Sequence, residues 1–563
     1  MATETQPTDS TSDGRSRARR KTLLGSIDKV VFACGLALVV AFVMWGAINP
    51  ENLAETAATA LGYVTDITGW IFILAGAGFC VLVLALAFSR YGRIRLGTDD
   101  ERPEFSTPSW FAMMFAAGMG IGLVFFGASE PLSHLATPPL GLAEPNSEEA
   151  ASLAMQYTIF HWGLHPWALY AVVGLALAYA TFRKGRPNLL SSIILPQQRV
   201  DAPARRAIDT FAIFITVFGA ASSLGLGALQ INSGLNSAYG VPENKTVSII
   251  VIIVLALVFG ISAVSGVGKG IRIISNINMG LAGLLAVFVL VLGPTLIIVN
   301  TFVEMLGSYT TSVIPMSFRT GIYGGSDWLQ GWTLFYWAWW MSWAPFVGTF
   351  IARISRGRTI RQFVVCVLLV PTLVSSVWFS ILGGAAIDAE LNGADLASAN
   401  AEGPEKALFA LLDQFPLVAV SSTIVVLLIT FFFVSSADSA SVVLGMLSSK
   451  GDIDPHKGVV VLWGSMIGAT AIVLLLADGL SAIQSAAIVI AVPFLALMVV
   501  LCVQLVRELR TEPVVSTVPE GVYTAMYEEM GTRDETNGAD RSAGMTTEAG
   551  KSSEPSARGP GRD

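Results

Sequence analysis

Charged residues are scarce in this chain. They make up 13% of its 563 residues, whereas a soluble protein of this size carries about 25%. Hydrophobic residues reach 53%, and many apolar runs exceed the roughly 20 residues that a helix needs to cross a bilayer. The composition argues against an ordinary soluble protein and predicts an all-α polytopic membrane protein, with the lipid bilayer and no nucleic acid as a partner.

Cysteine is rare as well, and its placement argues against a disulfide framework. All four cysteines lie within apolar runs, at Cys34, Cys80, Cys366 and Cys502. A cleaved signal peptide is not expected either. The first 26 residues are polar and basic, and the apolar run that follows is long enough to be a spanning helix.

What the chain does have is a series of long apolar segments, from which we predict twelve spans. They begin near Ile27, Asp66, Ser109, Ser152, Ala207, Thr246, Ile271, Leu329, Arg358, Phe415, Gly458 and Ala482. The amphipathic stretch within residues 294–326 is predicted to lie on the outer surface as a helix. Residues 1–26 and 510–563 are predicted to be tails, disordered at the N-terminus and towards the C-terminal end.

Lysine and arginine are unevenly divided between two sets of loops. One set contains the basic cluster of residues 15–21 and most of the others, whereas the opposite set shows only three, at Lys245, Arg319 and Lys406. Cytoplasmic loops of membrane proteins carry the excess of positive charge. The asymmetry predicts an even number of spans in the cell membrane, with both termini in the cytoplasm.

Tryptophan is concentrated in one of these spans. Five of the 13 tryptophans fall between residues 332 and 343, at Trp332, Trp337, Trp339, Trp340 and Trp343. On a helix, Phe335, Trp339 and Trp343 share a face, and Tyr336, Trp340 and Trp343 form an overlapping ridge. Membrane tryptophans usually lie at the interfaces. A cluster in the middle of a span therefore predicts aromatic planes that wall a small space.

The fourth span carries a second aromatic group, formed by Trp162, Trp167 and Tyr170. His161 and His165 in this span are four residues apart, a spacing that can suit a metal ion. No third ligand is in view, and Pro166 disturbs the local geometry. A role in helix packing or at the interface is favoured for the two histidines.

The third span contains glycine at alternate positions, Gly118, Gly120 and Gly122. Each weakens a helix by about 1 kcal/mol relative to alanine, so the span can unwind where it lines a cavity. Close packing of helices on small residues is an equally good interpretation. Glu130 and His134, at the end of this span, are expected to face the outer vestibule.

The tenth span holds a polar cluster in apolar surroundings: Ser435, Ser436, Asp438, Ser439 and Ser441. Hydroxyl and carbonyl oxygens are the ligands that small hard cations prefer. Alternatively, the serines bond back to carbonyls of their own helix. Asp438 favours a functional cluster, because an ionisable group at membrane depth is costly, unless it lies near the cytoplasmic end and is structural.

Three of these segments together resemble the betaine/carnitine/choline transporter family: WTLFYWAWWMSWAPFVGTFIARISRGRTIR, AAGMGIG and FFFVSSADS. The resemblance covers roughly residues 25–510. It implies twelve transmembrane helices with two inverted repeats of five, the fold shared with neurotransmitter sodium symporters. The repeats would be residues 109–293 and 327–509, after two peripheral helices in residues 27–108. Members are often homotrimers and move quaternary ammonium compounds or similar zwitterions.

The resemblance also implies the site residues. An aromatic box for a methylated ammonium would comprise Trp339, Trp340 and Trp343 with Phe335 nearby, and a second group Trp162, Trp167 and Tyr170. A cation is held there by the negative faces of the rings, at about 0.5–2 kcal/mol per ring. The substrate carboxylate would meet backbone amides of the glycine stretch, at Gly118, Met119, Gly120 and Gly122.

Sodium is the coupling ion that the resemblance implies, and no other cofactor is expected. Proton-coupled choline carriers of the family have aspartate at the position of Gly122, whereas sodium-coupled members have glycine. The implied sodium ligands are Ala116, Met119, Phe432, Ser435 and Ser436. A second sodium would use the SSLGLGA part of the fifth span and Phe346, without a defined ligand set.

We therefore expect a sodium-coupled importer of a compatible solute, such as glycine betaine or ectoine, that works by alternating access in osmoprotection. The C-terminal tail is mixed or acidic, which argues against the basic osmosensing helix of some members. The alternatives are a sodium-independent exchanger and a proton-coupled choline or carnitine transporter. A membrane-embedded enzyme or a channel is disfavoured, because the spans show no acid/base pair and no repeated filter.

Overall fold

The computed structural model describes residues 27–118, 120–265 and 268–513. Within these ranges the secondary structure is helical apart from one isolated antiparallel bridge between Arg95 and Thr359. Nearly all of the two predicted tails lies outside the described residues, so the expected disorder there stays a prediction. The all-α fold class is confirmed for the described part of the chain.

We number the long helices in chain order. They are α1 (Lys29–Ile48), α2 (Pro50–Phe88), α3 (Thr107–Gly118), α4 (Ile121–Ala136), α5 (Glu148–Trp162), α6 (Leu164–Ala178), α7 (Pro203–Tyr239), α8 (Lys245–Ser265), α9 (Gly268–Leu292), α10 (Thr295–Met316), α11 (Phe335–Ile354), α12 (Ile360–Leu391), α13 (Val418–Ser448), α14 (Lys457–Asp478) and α15 (Leu480–Arg510).

Nine helices in the described residues are long and apolar enough to cross a membrane, counting Glu148–Arg183 as one. This confirms a polytopic membrane protein, while the count of twelve spans and the inverted repeat stay predictions. Helix α10, predicted to lie on the surface, is among the nine by length and composition, and only 17% of its most apolar stretch is buried. Its placement on or across the bilayer is therefore a prediction still.

Large apolar side chains point outward from the peripheral helices. Leu257 and Ile261 of α8 are 63% and 71% exposed, and Val303 of α10 is 64% exposed. Apolar surface on this scale is not stable against water. These faces suit the apolar interior of a membrane.

Two spans are interrupted at glycine near their middle. The third span ends as α3 at Gly118 and resumes as α4 at Ile121, and the fourth breaks at Gly163 between α5 and α6. The predicted unwinding of the glycine stretch is thus observed. Gly120, which precedes α4, has φ −145° and ψ −143°, outside the helical region. The break frees backbone groups from helical hydrogen bonds in the interior of the molecule.

The central helix is α11, which packs against α6, α7 and α15. Helix α13 packs along α7, and α4 packs against α12 and α5. The fully buried aromatic side chains of α11 include Phe335, Tyr336 and Trp337. This arrangement brings the tryptophan-rich span, the interrupted spans and the serine-rich span around one interior region.

Candidate functional site

The aromatic residues of α11 form two stacked pairs along the helix. Phe335 stacks on Trp339 with ring centroids 5.6 Å apart, and Tyr336 stacks on Trp340 at 6.2 Å. Trp339 and Trp340 are themselves stacked at 5.2 Å. The four-residue spacing therefore stacks the first two members of each predicted ridge, and the two pairs meet at Trp339 and Trp340. Stacking does not continue to Trp343, the residue that the two predicted ridges share.

The second aromatic group meets the first across the α5–α6 break. Trp162 contacts Trp340 edge-on at 4.9 Å and Trp339 at 6.2 Å. Tyr170 contacts Trp340 at 5.9 Å, and Trp167 packs on Tyr170 at 5.6 Å. Six of the seven predicted aromatic residues thus form one buried cluster, which we call the aromatic cluster: Phe335, Trp339, Trp340, Trp162, Trp167 and Tyr170.

Trp343 faces a different neighbour. Its ring packs edge-on against Phe346 at 5.5 Å, and its indole N–H donates to the Gly219 carbonyl oxygen at 2.6 Å. It is also only partly buried, unlike the other rings of α11 that the sequence singled out. Trp343 therefore lies along α7, beside the aromatic cluster instead of within it.

Hydrogen bonds fix the orientation of the cluster's indoles. Trp339 donates to the Ser222 hydroxyl at 3.1 Å, and Trp340 donates to the His161 carbonyl at 3.0 Å. Because an indole N–H at one edge is anchored, the ring face is held in a fixed direction. In the edge-on contact of Trp162 with Trp340, a positive ring edge meets a negative ring face. A cation bound to these faces would have to replace such an edge.

The glycine stretch contacts the aromatic cluster through Gly122. A Cβ at this position would lie 2.5 Å from Cη2 of Trp339 and 3.0 Å from Cη2 of Trp162. Only a hydrogen atom fits there, so Gly122 serves close packing. The two interpretations of the glycines thus apply to different residues, with unwinding around Gly120 and packing at Gly122.

The polar cluster of α13 lies next to the break. A Cβ on Gly120 would be 3.8 Å from the Ser436 hydroxyl. Ser435 donates to the carbonyl of Phe432 at 3.1 Å, the back-bonding expected of a helical serine. Met119 and the side chain of Ala116 lie outside the described residues. The hydroxyl of Ser436 thus lies beside the break, and the sodium ligand set stays a prediction.

The prediction that Glu130 and His134 face an outer vestibule is wrong, since both side chains are fully buried. Glu130 accepts hydrogen bonds from Trp162, Tyr336 and His161, and contacts His134. Sequence reasoning missed this group. An acid four residues before a histidine, late in an apolar span, was the signal that could have found it.

The two histidines of the fourth span have separate partners, as their favoured packing role implies. His161 contacts Glu130 and, at 2.9 Å, the Thr333 hydroxyl. His165 contacts the Ser317 hydroxyl at 2.9 Å and stacks on Trp337 with an interplanar angle of 8°. The pair does not converge on a common metal position.

A cavity of about 340 Å³ lies elsewhere, between α5, α10 and α12. Its wall includes the carboxylates Glu148, Glu304 and Asp388. None of its lining residues belongs to the aromatic cluster, so the cavity is not the candidate site.

Comparison with known proteins identifies the family of the chain. The family model described as the betaine/carnitine/choline family transporter, BCCT, matches residues 30–514. The chain belongs to the betaine/carnitine/choline transporter family. As a member of this family it is a transporter and not an enzyme, and the predicted resemblance is confirmed.

Individual members of this family are similar over most of their length. The glycine betaine transporter OpuD of Bacillus subtilis is 46% identical over 86% of this chain and 94% of its own. The betaine/ectoine transporter LcoP of Corynebacterium glutamicum is 41% identical, covering 86% and 78%. The ectoine/hydroxyectoine transporter of Virgibacillus pantothenticus is 40% identical, covering 86% and 97%.

Proposed function

We propose that the chain imports a compatible solute, glycine betaine or ectoine, together with sodium. The relatives named for glycine betaine and ectoine support the solute class. The observation that carries the proposal is the buried aromatic cluster around Trp340, set against the glycine stretch. Ring faces attract a permanently methylated ammonium, which has no hydrogen to donate.

In this proposal the ammonium binds between the rings of Trp339, Trp340 and Trp162, after the edge of Trp162 moves off the face of Trp340. The carboxylate of the substrate takes the backbone amides freed at the interrupted third span, near Gly120. Anion binding by backbone N–H groups at a helix start is a general property of α-helices. A zwitterion fits both ends of such a site.

The test is uptake of labelled betaine, ectoine, proline, carnitine and choline in a host that lacks its own carriers, in sodium or in potassium medium. We expect uptake of betaine or ectoine that requires sodium. No uptake of any of the five would overturn the solute class. Uptake indifferent to sodium would favour a sodium-independent exchanger.

Sodium coupling has its own support in the neighbourhood of Gly120 and Ser436, where a loosened backbone faces a hydroxyl. Oxygen ligands of this kind suit a small hard cation. Proton coupling is disfavoured because this chain has Gly122 where proton-coupled choline carriers of the family have aspartate. A side chain at this position would collide with the indoles of Trp339 and Trp162. Proteoliposomes with a sodium gradient or a proton gradient distinguish the two, and the proposal predicts accumulation with the sodium gradient alone.

The remaining elements of the proposal are alternating access, a homotrimer in the cell membrane and two cytoplasmic termini. The trimer rests on the family resemblance, and the orientation rests on the positive-inside rule. Light scattering of the detergent-purified chain tests the trimer. Protease cleavage of terminal tags in intact cells tests the orientation, and cleavage from outside would contradict it.

A further inference from the structure

The carboxylate of Glu130 is the meeting point of four polar side chains. Its Oε2 accepts from the Trp162 indole N–H at 2.7 Å and from the Tyr336 hydroxyl at 2.5 Å. Its Oε1 lies 2.7 Å from Nδ1 of His161 and 3.3 Å from Nε2 of His134. None of these five side chains is more than slightly exposed, so the arrangement is shielded from bulk solvent.

All four partners of Glu130 can donate hydrogen bonds to an ionised carboxylate. A carboxylate offers about four lone-pair positions and no donor, whereas an indole N–H can only donate. His161 can donate from Nδ1 while its Nε2 accepts from the Thr333 hydroxyl, 2.9 Å away. With neutral imidazoles in these tautomers, all four groups donate to the carboxylate and no second positive charge is required.

Of the two rings bonded to Oε2, Trp162 belongs to the proposed substrate site, and Tyr336 stacks on a ring of that site. Trp162 touches Trp340 at 4.9 Å and Trp339 at 6.2 Å, while Tyr336 stacks on Trp340 at 6.2 Å. A hydrogen bond from a ring's N–H or O–H to an anion polarises that ring and makes its face more negative. A more negative face attracts a cation more strongly.

We propose that Glu130 is a positioning residue that supplies buried counter-charge to the aromatic cluster. It holds Trp162 and Tyr336 in place and strengthens their attraction for the substrate's quaternary ammonium without touching the substrate. The inference rests on the proposed function, since it concerns the same site. It adds a specificity element on α4, behind the rings, that selects a cationic head group over a neutral one of equal shape.

A bound metal ion is the competing explanation, because the ligand atoms of Glu130, His134 and His161 lie within 4.8 Å of one another. Two ligands of a tetrahedral zinc ion are about 3.3 Å apart, given metal–ligand distances near 2.0 Å. The 2.7 Å between Glu130 and His161 is instead the length of a direct hydrogen bond. The other carboxylate oxygen is already engaged by two donors.

Glu130→Gln separates charge from geometry. The amide oxygen can accept from Trp162 and Tyr336, and the amide NH₂ can donate to the two imidazoles in their alternative tautomers. The variant therefore keeps the shape of the network and deletes the charge. Asp209→Asn is a matched control, because Asp209 is a buried carboxylate on α7 that bonds the Ser191 hydroxyl at 2.8 Å, outside the aromatic cluster.

The experiment compares glycine betaine with 3,3-dimethylbutanoate, in which a neutral carbon replaces the nitrogen. Binding to the purified full chain is followed by tryptophan fluorescence, with unliganded spectra as a check that the rings have not moved. We expect Glu130→Gln to weaken betaine binding about tenfold, roughly 1.4 kcal/mol. We expect the carbon analogue to bind as it does to the unmodified chain, and Asp209→Asn to change neither ligand by more than about twofold.

Unchanged betaine affinity in Glu130→Gln would overturn the inference, and so would an equal loss for both ligands. Tyr336→Phe provides a second route, because it removes one donor and leaves the carboxylate in place. It should reduce the preference for betaine over the carbon analogue in the same direction by a smaller factor, and an unchanged preference would count against the proposal. If the unmodified chain fails to bind betaine, the proposed function itself is wrong.

Discussion

The two ends of the proposed site are built differently. At the aromatic end, indole N–H groups are anchored to Ser222, to the His161 carbonyl and to Glu130. At the other end, the third span loses its helical backbone near Gly120, beside the half-buried hydroxyl of Ser436. One end is rigid and closely packed, and the other exposes backbone and hydroxyl oxygens.

This difference has a physical reason. A methylated ammonium is bound by broad ring faces, which act only when their directions are fixed before the ligand arrives. A small cation is bound by several oxygen atoms that must close around it. A loosened helix can provide such oxygens, since carbonyls at the break lose their regular helical partners. The contrast predicts that substitutions at the rigid end alter substrate affinity, and substitutions at the loosened end alter ion dependence.

The largest effect is expected from Gly122→Ala. The added Cβ would lie 2.5 Å from Trp339 and 3.0 Å from Trp162, so two anchored rings must shift. We expect solute uptake to fall at least about a hundredfold, since overpacking of this kind costs roughly 1–3 kcal/mol and also misplaces the rings. Initial rates in cells with matched surface expression measure the loss.

Gly78→Ala is the matched control for that prediction. Gly78 lies on α2, and a Cβ at this position would have no heavy atom within 4 Å, so alanine there meets open space. Its uptake should equal that of the unmodified chain. Equal uptake by both alanine variants would show that the close contact at Gly122 is dispensable. It would contradict the claim that close packing of the rings at this end is needed for transport.

Trp340→Leu should produce the next largest effect. Its ring is stacked on Trp339 and Tyr336 and is touched by Trp162 and Tyr170, so its removal opens the centre of the aromatic cluster. We expect the apparent KM for betaine to rise about tenfold or more, the loss of roughly 1–2 kcal/mol of cation–ring attraction. Concentration dependence of uptake gives this value.

Trp343→Leu sharpens the same comparison within one helix. Trp343 packs on Phe346 and bonds Gly219, so we expect a smaller rise in KM than for Trp340→Leu. An equal or larger rise would extend the substrate site along α7. Trp70→Leu, on the exposed face of α2, controls for insertion and expression.

The sequence predicted the rigid end better than the loosened one. Residues four apart on a helix lie on the same face. The contacts of Phe335 with Trp339 and of Tyr336 with Trp340 could therefore be predicted from the spacing alone. The contact of Trp162 with Trp340 depends on how two distant helices pack. Periodicity carries no information about that packing, and only the family resemblance indicated that the two groups belong together.

Glu130 shows where such reasoning fails. A charged residue near the end of an apolar span is usually assigned to the aqueous boundary, because burial of an unpaired charge is costly. Here the cost is offset by donors from two other helices, His161 and Trp162 on α5 and Tyr336 on α11, together with His134 on the same helix. Only His134 lies in the local sequence around Glu130. The outer-vestibule prediction was wrong for this reason.

At the loosened end, Ser435→Ala and Ser436→Ala should raise the sodium concentration needed for half-maximal uptake by about threefold to tenfold, with solute preference retained. The hydroxyl of Ser436 lies close to Gly120, and Ser435 holds the carbonyl of Phe432. Sodium titration of uptake measures the shift. Ser441→Ala, whose hydroxyl bonds the Ala437 carbonyl within α13, is the control. A shift in substrate preference instead of sodium dependence would break the division between the two ends.

The smallest effect is expected from Thr359→Ala, outside both ends. Thr359 and Gln362 form a reciprocal capping box at the start of α12, with bonds of 3.2 Å and 3.4 Å. Loss of such a cap costs about 1 kcal/mol of stability, so the apparent melting temperature in detergent should fall slightly. The KM for solute and the sodium dependence should stay as they are, because α12 would still begin at the same place. If either one changed, the loop between α11 and α12 would be coupled to the site, and the contrast between the two ends would no longer account for specificity alone.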